Sequence, residues 1–312
     1  MTRISAIARL LGAALLAAAA GDAFAHGFAG KRFFPATLAT DDPFVADELS
    51  LPTVSRRKTG DDPATLETDT SVDFTKRITA NLGVGLSSTY VSLKPDGGEP
   101  QRGFDNFAAN VKYQFYKNDE RETILSVGAD WDIGNTGAKR LGVDTFSTVT
   151  PTLFAGKGFG DLPDSMLVLK PFAVTGTLGV GVPTRSSTTT VDDSGNATTV
   201  QNPHVLNFGF ALQYSLLYLQ SFVKDVGLPE PFNRMIPLVE VSLQKPLDRG
   251  GGPTTGTINP GVLWAGRYMQ YGLEAIIPMN KNTGGKTGVL FQIHFFIDDL
   301  FPKSIGRPIF GD

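Results

Sequence analysis

The chain holds three histidines, His26, His204 and His294, and no cysteine, so any base that titrates near neutral pH must be one of these three. A hydrolytic nucleophile needs such a base within hydrogen-bond reach and a third group to orient it. His204 follows a Ser- and Thr-rich stretch, yet no G-x-S-x-G elbow occurs anywhere, and it reads as a solvated histidine. His294 reads as a hydrogen-bonded structural one. His26 is the weak candidate for a metal: a free amino terminus there could offer Cu(II) an amine and an imidazole. With no second histidine nearby, no metal, no cofactor and no catalytic residue is expected. What the residue types do offer is charge in a regular pattern. Glu67, Asp69, Asp73, Glu122, Asp130, Asp132, Glu240 and Glu274 fall at alternate positions on one face, against Arg77 and Lys112, with Gln292 and His294 on the same side. Buried and unpaired, each such charge would be costly, so the face must be wet or internally paired. A wet face of this sign favours cations over anions. Ile124, Phe154, Ile236, Leu238, Leu290 and Phe296 share it, and that mixed lining suits small amphipathic organic molecules.

The elements that carry these residues are announced by a period of two. Phe107, Ala109, Val111, Tyr113 and Phe115 alternate with Ala108, Asn110, Lys112 and Gln114. After a polar turn, Thr123, Leu125, Val127, Ala129, Trp131 and Ile133 alternate with Ile124, Ser126, Gly128, Asp130 and Asp132. Successive side chains of a strand point to opposite faces, so such a ribbon has one apolar and one polar side. The reading repeats about twelve times between 46 and 297, in apolar stretches of about nine to eleven residues, the length of a tilted membrane-crossing strand. The weakest are 46–55, which contains Pro52, and 166–182, whose two faces are hard to tell apart. Pro151, Pro237 and Pro260 each remove a ladder donor within an expected strand. Alternate connections, at 56–64, 93–103, 135–143, 183–203, 247–254 and 280–285, are the longer polar ones. Those on the other side are short around Arg77 and Gly266, while 217–233 is long enough for a short helix.

A secreted sandwich also alternates, but its outer face is charged. Here the polar face is mostly Asn, Ser, Thr and Gly. The apolar face carries Tyr90, Tyr113, Trp131, Tyr214, Trp264 and Phe295 near strand ends, as the two aromatic girdles of a membrane barrel would. In lipid, only a closed sheet gives every backbone group a partner. The fold expected is therefore all-β: a transmembrane antiparallel β-barrel of about twelve strands.

The start of the chain agrees. Arg3 and Arg9 flank an apolar run, 10–20, that is too short to span a bilayer, and Ala23-Phe24-Ala25 has the small-x-small form of a signal-peptidase site. Cleavage after Ala25 would remove two of the 28 basic and one of the 31 acidic side chains, leaving an acidic mature chain with no footprint for nucleic acid. The expected division is a signal peptide over 1–25, an N-terminal leader over 26–45 (a periplasmic tail or a plug), a barrel over 46–297 and a periplasmic tail over 298–312.

Two resemblances add to this. Within 286–295, Gly288 followed by Phe291, Ile293 and Phe295 resembles the C-terminal signal that the barrel-assembly machinery recognises, although here further residues follow it. The stretch His26-Gly27-Phe28-Ala29-Gly30-Lys31-Arg32-Phe33-Phe34-Pro35, leading into Asp41-Asp42-Pro43-Phe44, resembles the opening of proteobacterial outer-membrane proteins. These are similar to the transporters named for the meta-pathway of phenol degradation. The resemblance implies a channel or uptake protein in the outer membrane, partnered by its lipid, by the assembly machinery and by small organic solutes, aromatic ones among them. The other expectation is a filled barrel with a structural or lipid-processing role.

Overall fold

A computed structural model describes residues 27–60, 63–191 and 194–311; the expected signal peptide, its cleavage site and His26 lie outside the described residues. Twelve strands make the wall: β1 Glu48–Lys58, β2 Thr65–Arg77, β3 Leu82–Pro95, β4 Gln101–Phe104 continued by Phe107–Asn118, β5 Thr123–Ile133 and β6 Thr148–Gly158. The other half is β7 Phe172–Pro183, β8 Val205–Tyr214, β9 Met235–Pro246, β10 Thr255–Ala265, β11 Met269–Pro278 and β12 Gly288–Phe296. Each pairs antiparallel with its neighbour in sequence, and β12 pairs with β1 (Phe291 opposite Val54, Phe296 opposite Glu48), so the sheet closes on itself. Closure leaves no free edge, which is what a membrane-crossing sheet requires.

The prolines mark local faults and no strand is lost to them. The β1 register shifts between Ser50 and Thr53, around Pro52. The β6–β7 ladder skips Thr150 and Pro151, and the β10–β11 ladder skips Asn259 and Pro260. One expected strand boundary is corrected. The segment 166–182 is a strand only from Phe172; before it, Asp164–Leu169 forms 3-10 turns after Pro163. Pro171, with no N–H to give, separates the two. The helix expected within 217–233 is a short one, Leu216–Tyr218 running on to Val223, started by Ser215, whose hydroxyl accepts from Tyr218 N at 3.1 Å.

Both ends of the wall lie at the rim carrying the tight turns 78–81, 119–122 and 266–268, together with the longer connections 159–171 and 215–234; the opposite rim carries the remaining connections, including a hairpin of Ser187–Val191 with Ala197–Gln201. The outer surface is the apolar set expected, with Tyr113, Trp131, Val111 and Leu273 exposed on it. Aromatic pairs lie toward both rims: Tyr90 edge-on to Phe104 toward one, Phe172 edge-on to Tyr214 and Trp264 tilted against Tyr271 toward the other.

The leader does not lie along the rim. It enters the lumen from the rim with the tight turns, rises to an apex at Ala39–Asp42 and returns to begin β1. Its path is marked by wall contacts in order: Asp119, Glu122, Gln270, Glu240, Lys112, Ser126, and finally Arg77. After β12, a single helical turn, Ile297–Leu300, leads into a tail that folds back over the rim beside β2. There Lys76 and Arg77 donate to the carbonyls of Ile305 and Gly306.

Candidate functional site

The leader is held because its side chains and the inner wall are complementary. Its phenyl rings need cover, and the wall's inward apolar residues supply it. Ala29, Phe34 and Phe44 pack with Ile124 and Ala173, while Phe33 and Leu38 pack against Ile236, Leu238, Leu263 and Ala265. Phe33 meets Phe296 edge-on at 6.1 Å. Each fully buried side chain of this size is worth about 1.5–3 kcal/mol. Inward glycines let the leader come close: a Cβ on Gly209 would stand 2.8 Å from Thr40 Cγ2, and one on Gly156 2.9 Å from Pro43 Cγ.

Polar anchors fix it in three places. At the entry, Arg32 is 1% exposed; its guanidinium donates to Glu122 at 3.1 Å and to the carbonyls of Lys170 and Pro171, and it lies 3.8 Å over the Tyr218 ring. Burial alone would lower the Arg32 pKa, and the Glu122 carboxylate works against that. At the apex, Glu240 accepts from Leu38 N at 2.8 Å, Ala39 N at 3.1 Å, Thr40 N at 2.7 Å and Thr40 Oγ1 at 2.8 Å. At the exit, Asp47 accepts from Lys76 Nζ at 2.7 Å and from Arg77 N and Nε at 2.7 and 2.9 Å.

Several expected lining residues are therefore occupied. Glu122 is not a strand residue: it sits in the turn before β5 at φ 46°, where it takes Arg32, the Tyr218 hydroxyl and Gly160 N. Glu240 is fully buried and Glu274 is 2% exposed, the latter hydrogen-bonded by Asn259 at 3.3 Å. Arg77 staples the rim. Phe154 and Phe296, expected to face a solute, are buried; Phe154 lies under the Lys112 ammonium at 4.6 Å. The apolar part of the lining thus serves the leader, because a segment rich in Phe cannot stay in water when an apolar wall is within reach.

The remaining inward acids make no hydrogen bond to the leader among the described residues. Toward the rim opposite the tight turns, Glu67 pairs with Arg57 at 3.2 Å and Asp69 accepts from Ser55 at 3.1 Å; Asp132, opposite Ala108, stands next to the end of β5. Below them a cavity of about 350 Å³ remains between the leader and the wall along β12 and β1–β5. Asp73, Asp130, Asn110, Lys112, Gln292 and His294 line it, all on the inner face as the alternation required. Three acids join them that alternation could not supply: Asp41 and Asp42 from the leader and Glu48 at the start of β1. Lys112 binds Asp41 at 2.8 Å and donates to the Asp42 carbonyl at 2.8 Å. His294 is hydrogen-bonded as expected, Nδ1 to Ser50 Oγ at 2.9 Å, with Nε2 3.7 Å from Glu48. Phe291, Ile293 and Phe295 lie on the outer face, and Gly288 opens β12 beside Arg57.

The fold has counterparts of known structure. The outer membrane channel COG4313 from Pseudomonas putida F1 matches with a TM-score of 0.58 at 10% identity, over 85% of this chain and 99% of that one. The chain has the fold of an outer-membrane β-barrel. The translocator domain of the autotransporter NalP from Neisseria meningitidis matches at a TM-score of 0.47 and 10% identity, over 94% and 96% of the two chains. The NanC porin matches at 0.46 and 8% identity, over 79% of this chain and 98% of its own. Of these three, the first is the one similar enough to show a shared overall fold. No protein-family model matches the sequence, and no curated protein does. Within the barrel, the leader and the β12–β5 arc of wall enclose this cavity between them, and its lining mixes acids and amides with Leu38, Phe44, Val45 and Val84.

Proposed function

We propose that the chain is an outer-membrane channel through which small polar solutes, cations before anions, pass between the leader and the β12–β5 arc of the wall. The observation that carries this reading is the cavity of about 350 Å³ left beside the leader, faced by Asp73, Asp130, Glu48 and Asp41. Opposite charges a few ångströms apart in a water-filled pore attract by about 1–4 kcal/mol at effective dielectrics of 80 to 20. The alternation, the aromatic pairs toward both rims and the fold shared with an outer membrane channel support the membrane assignment. The signal peptide supports export, and the β12 motif supports insertion by the barrel-assembly machinery. The likeness of the leader motif to the phenol-degradation group supports uptake of organic molecules. Phe154 and Phe296 are covered and so leave the candidate path, while the acids stay at the cavity, which favours polar and charged solutes along it.

Two measurements test it. The mature chain is expected in outer-membrane fractions with gel mobility that changes on boiling; recovery as a soluble periplasmic protein would exclude the membrane assignment. In planar bilayers under a salt gradient, the reversal potential is expected to favour cations. Asp73→Asn with Asp130→Asn should shift it toward zero, most at low salt, where screening is weak. An unchanged potential would remove these acids from the path, and absence of any conductance would favour the filled barrel.

A further inference from the structure

The cavity beside the leader is lined by five carboxyl side chains, Asp41, Asp42, Glu48, Asp73 and Asp130, against one lysine and one histidine. Lys112 is already engaged by Asp41 and Asp42. Asp73 and Asp130 neither accept a hydrogen bond nor form an ion pair among the described residues. A second, independent observation lies on β12. Gln292 is 6% exposed, and its Nε2 donates to Thr53 Oγ1 at 3.1 Å, yet its Oε1, buried at the same cavity, has no donor. A buried acceptor without a donor costs about 1–3 kcal/mol, so such atoms are rare unless something else supplies the hydrogen.

We infer that this cavity binds a small organic cation carrying several N–H donors, of the alkylguanidinium or primary alkylammonium class, with its donors shared among Gln292 Oε1, Asp73 and Asp130. The inference deepens the channel reading and rests on it only for how the cation arrives. Apart from His294 Nε2, which lies beside Glu48, the groups without partners at this cavity (Gln292 Oε1, Asp73 and Asp130) are acceptors, so the ligand must donate; the acid excess requires that it be positive. A bare metal ion would need its ligands gathered within coordination distance, and among the described residues no group of three or more acids and histidines is gathered so. Donors spread over a molecule match acceptors spread over β2, β5 and β12. The cavity volume is at the lower end of the range that small-molecule sites occupy, about 300–1,000 Å³. Guanidinium, planar with five N–H groups when alkylated, can serve a carboxylate and an amide carbonyl together.

The test uses the full mature chain, refolded in detergent, with methylguanidinium as probe and tetramethylammonium, which has the charge and no N–H, as control. Methylguanidinium is expected to block potassium current at a concentration at least tenfold below that of tetramethylammonium, and to give a saturable heat in titration calorimetry. Gln292→Leu and, separately, Asp73→Asn should each weaken both signals at least fivefold while keeping heat-modifiable gel mobility. Conductance without discrimination and without heat overturns the site and leaves the channel standing. Saturable heat lost in Gln292→Leu, with no conductance, keeps the site and overturns the channel. Equal block by the two cations with unaltered block in both variants also overturns the site, because charge alone would then account for binding.

Discussion

Replacing Glu240 by alanine should turn a narrow, steady conductance into a larger and noisier one. Glu240 is the acceptor for three backbone N–H groups and one hydroxyl at the leader apex, all between 2.7 and 3.1 Å. Its removal leaves those donors without an acceptor in the middle of the lumen, and each buried unsatisfied group costs about 1–3 kcal/mol. The two legs of the leader keep their own anchors, Arg32 on Glu122 and Asp47 on Arg77, so the leader stays while its apex loosens. Glu240→Gln keeps one acceptor oxygen and should lie between the two. Removing residues 27–45, with Asp47 retained, marks the upper limit and should raise single-channel conductance several-fold. If that deletion widens the pore and Glu240→Ala does not, the apex is not what narrows it. Neutralising Glu240 and Glu274 should then act through the leader rather than through selectivity, since neither carboxyl faces the open cavity.

The wall was legible because alternation is a local signal: lipid on one side and lumen on the other impose it on every strand, and a slip of one residue would invert both faces. Hence Asp73, Lys112, Asp130, Gln292 and His294 stand where the period of two put them. The leader was not legible in that way. It has no period, and its partners are remote in sequence: Thr40 binds a residue 200 positions away, and Ala36 one 234 positions away. A partial signal did exist in residue size. Gly83, Gly156, Gly209 and Gly272 fall on the lumen face, where each comes within contact of Val45, Pro43, Thr40 or Leu38. A barrel face that is both glycine-rich and locally apolar is one shaped to receive chain. Glu122 and the 166–171 segment were misplaced for a different reason. Both abut true strands, and alternation by itself carries no mark of where pairing stops; the left-handed φ at Glu122 and the proline at 171 do.

The second large effect concerns assembly and separates the two faces of β12 by one residue. Phe291→Lys should nearly abolish the folded, membrane-inserted form, whereas Gln292→Lys should leave it largely intact. Phe291 faces outward near the middle of β12, opposite Val54 on β1 and Leu273 on β11, within the apolar band. A lysine at the bilayer midplane of a barrel costs about 2–4 kcal/mol. This one also falls in the strand that closes the sheet, so a barrel that fails to seat β12 exposes two unpaired edges to lipid. At 292 the same side chain enters the cavity beside Asp73 and Asp130, where its ammonium meets unpaired carboxylates in place of hydrocarbon. The measurement is the fraction of each variant with heat-modifiable mobility after insertion into lipid vesicles, with wild type alongside. Comparable losses at 291 and 292 would mean that β12 tolerates no added charge on either face. The inward and outward assignment would then have no bearing on assembly.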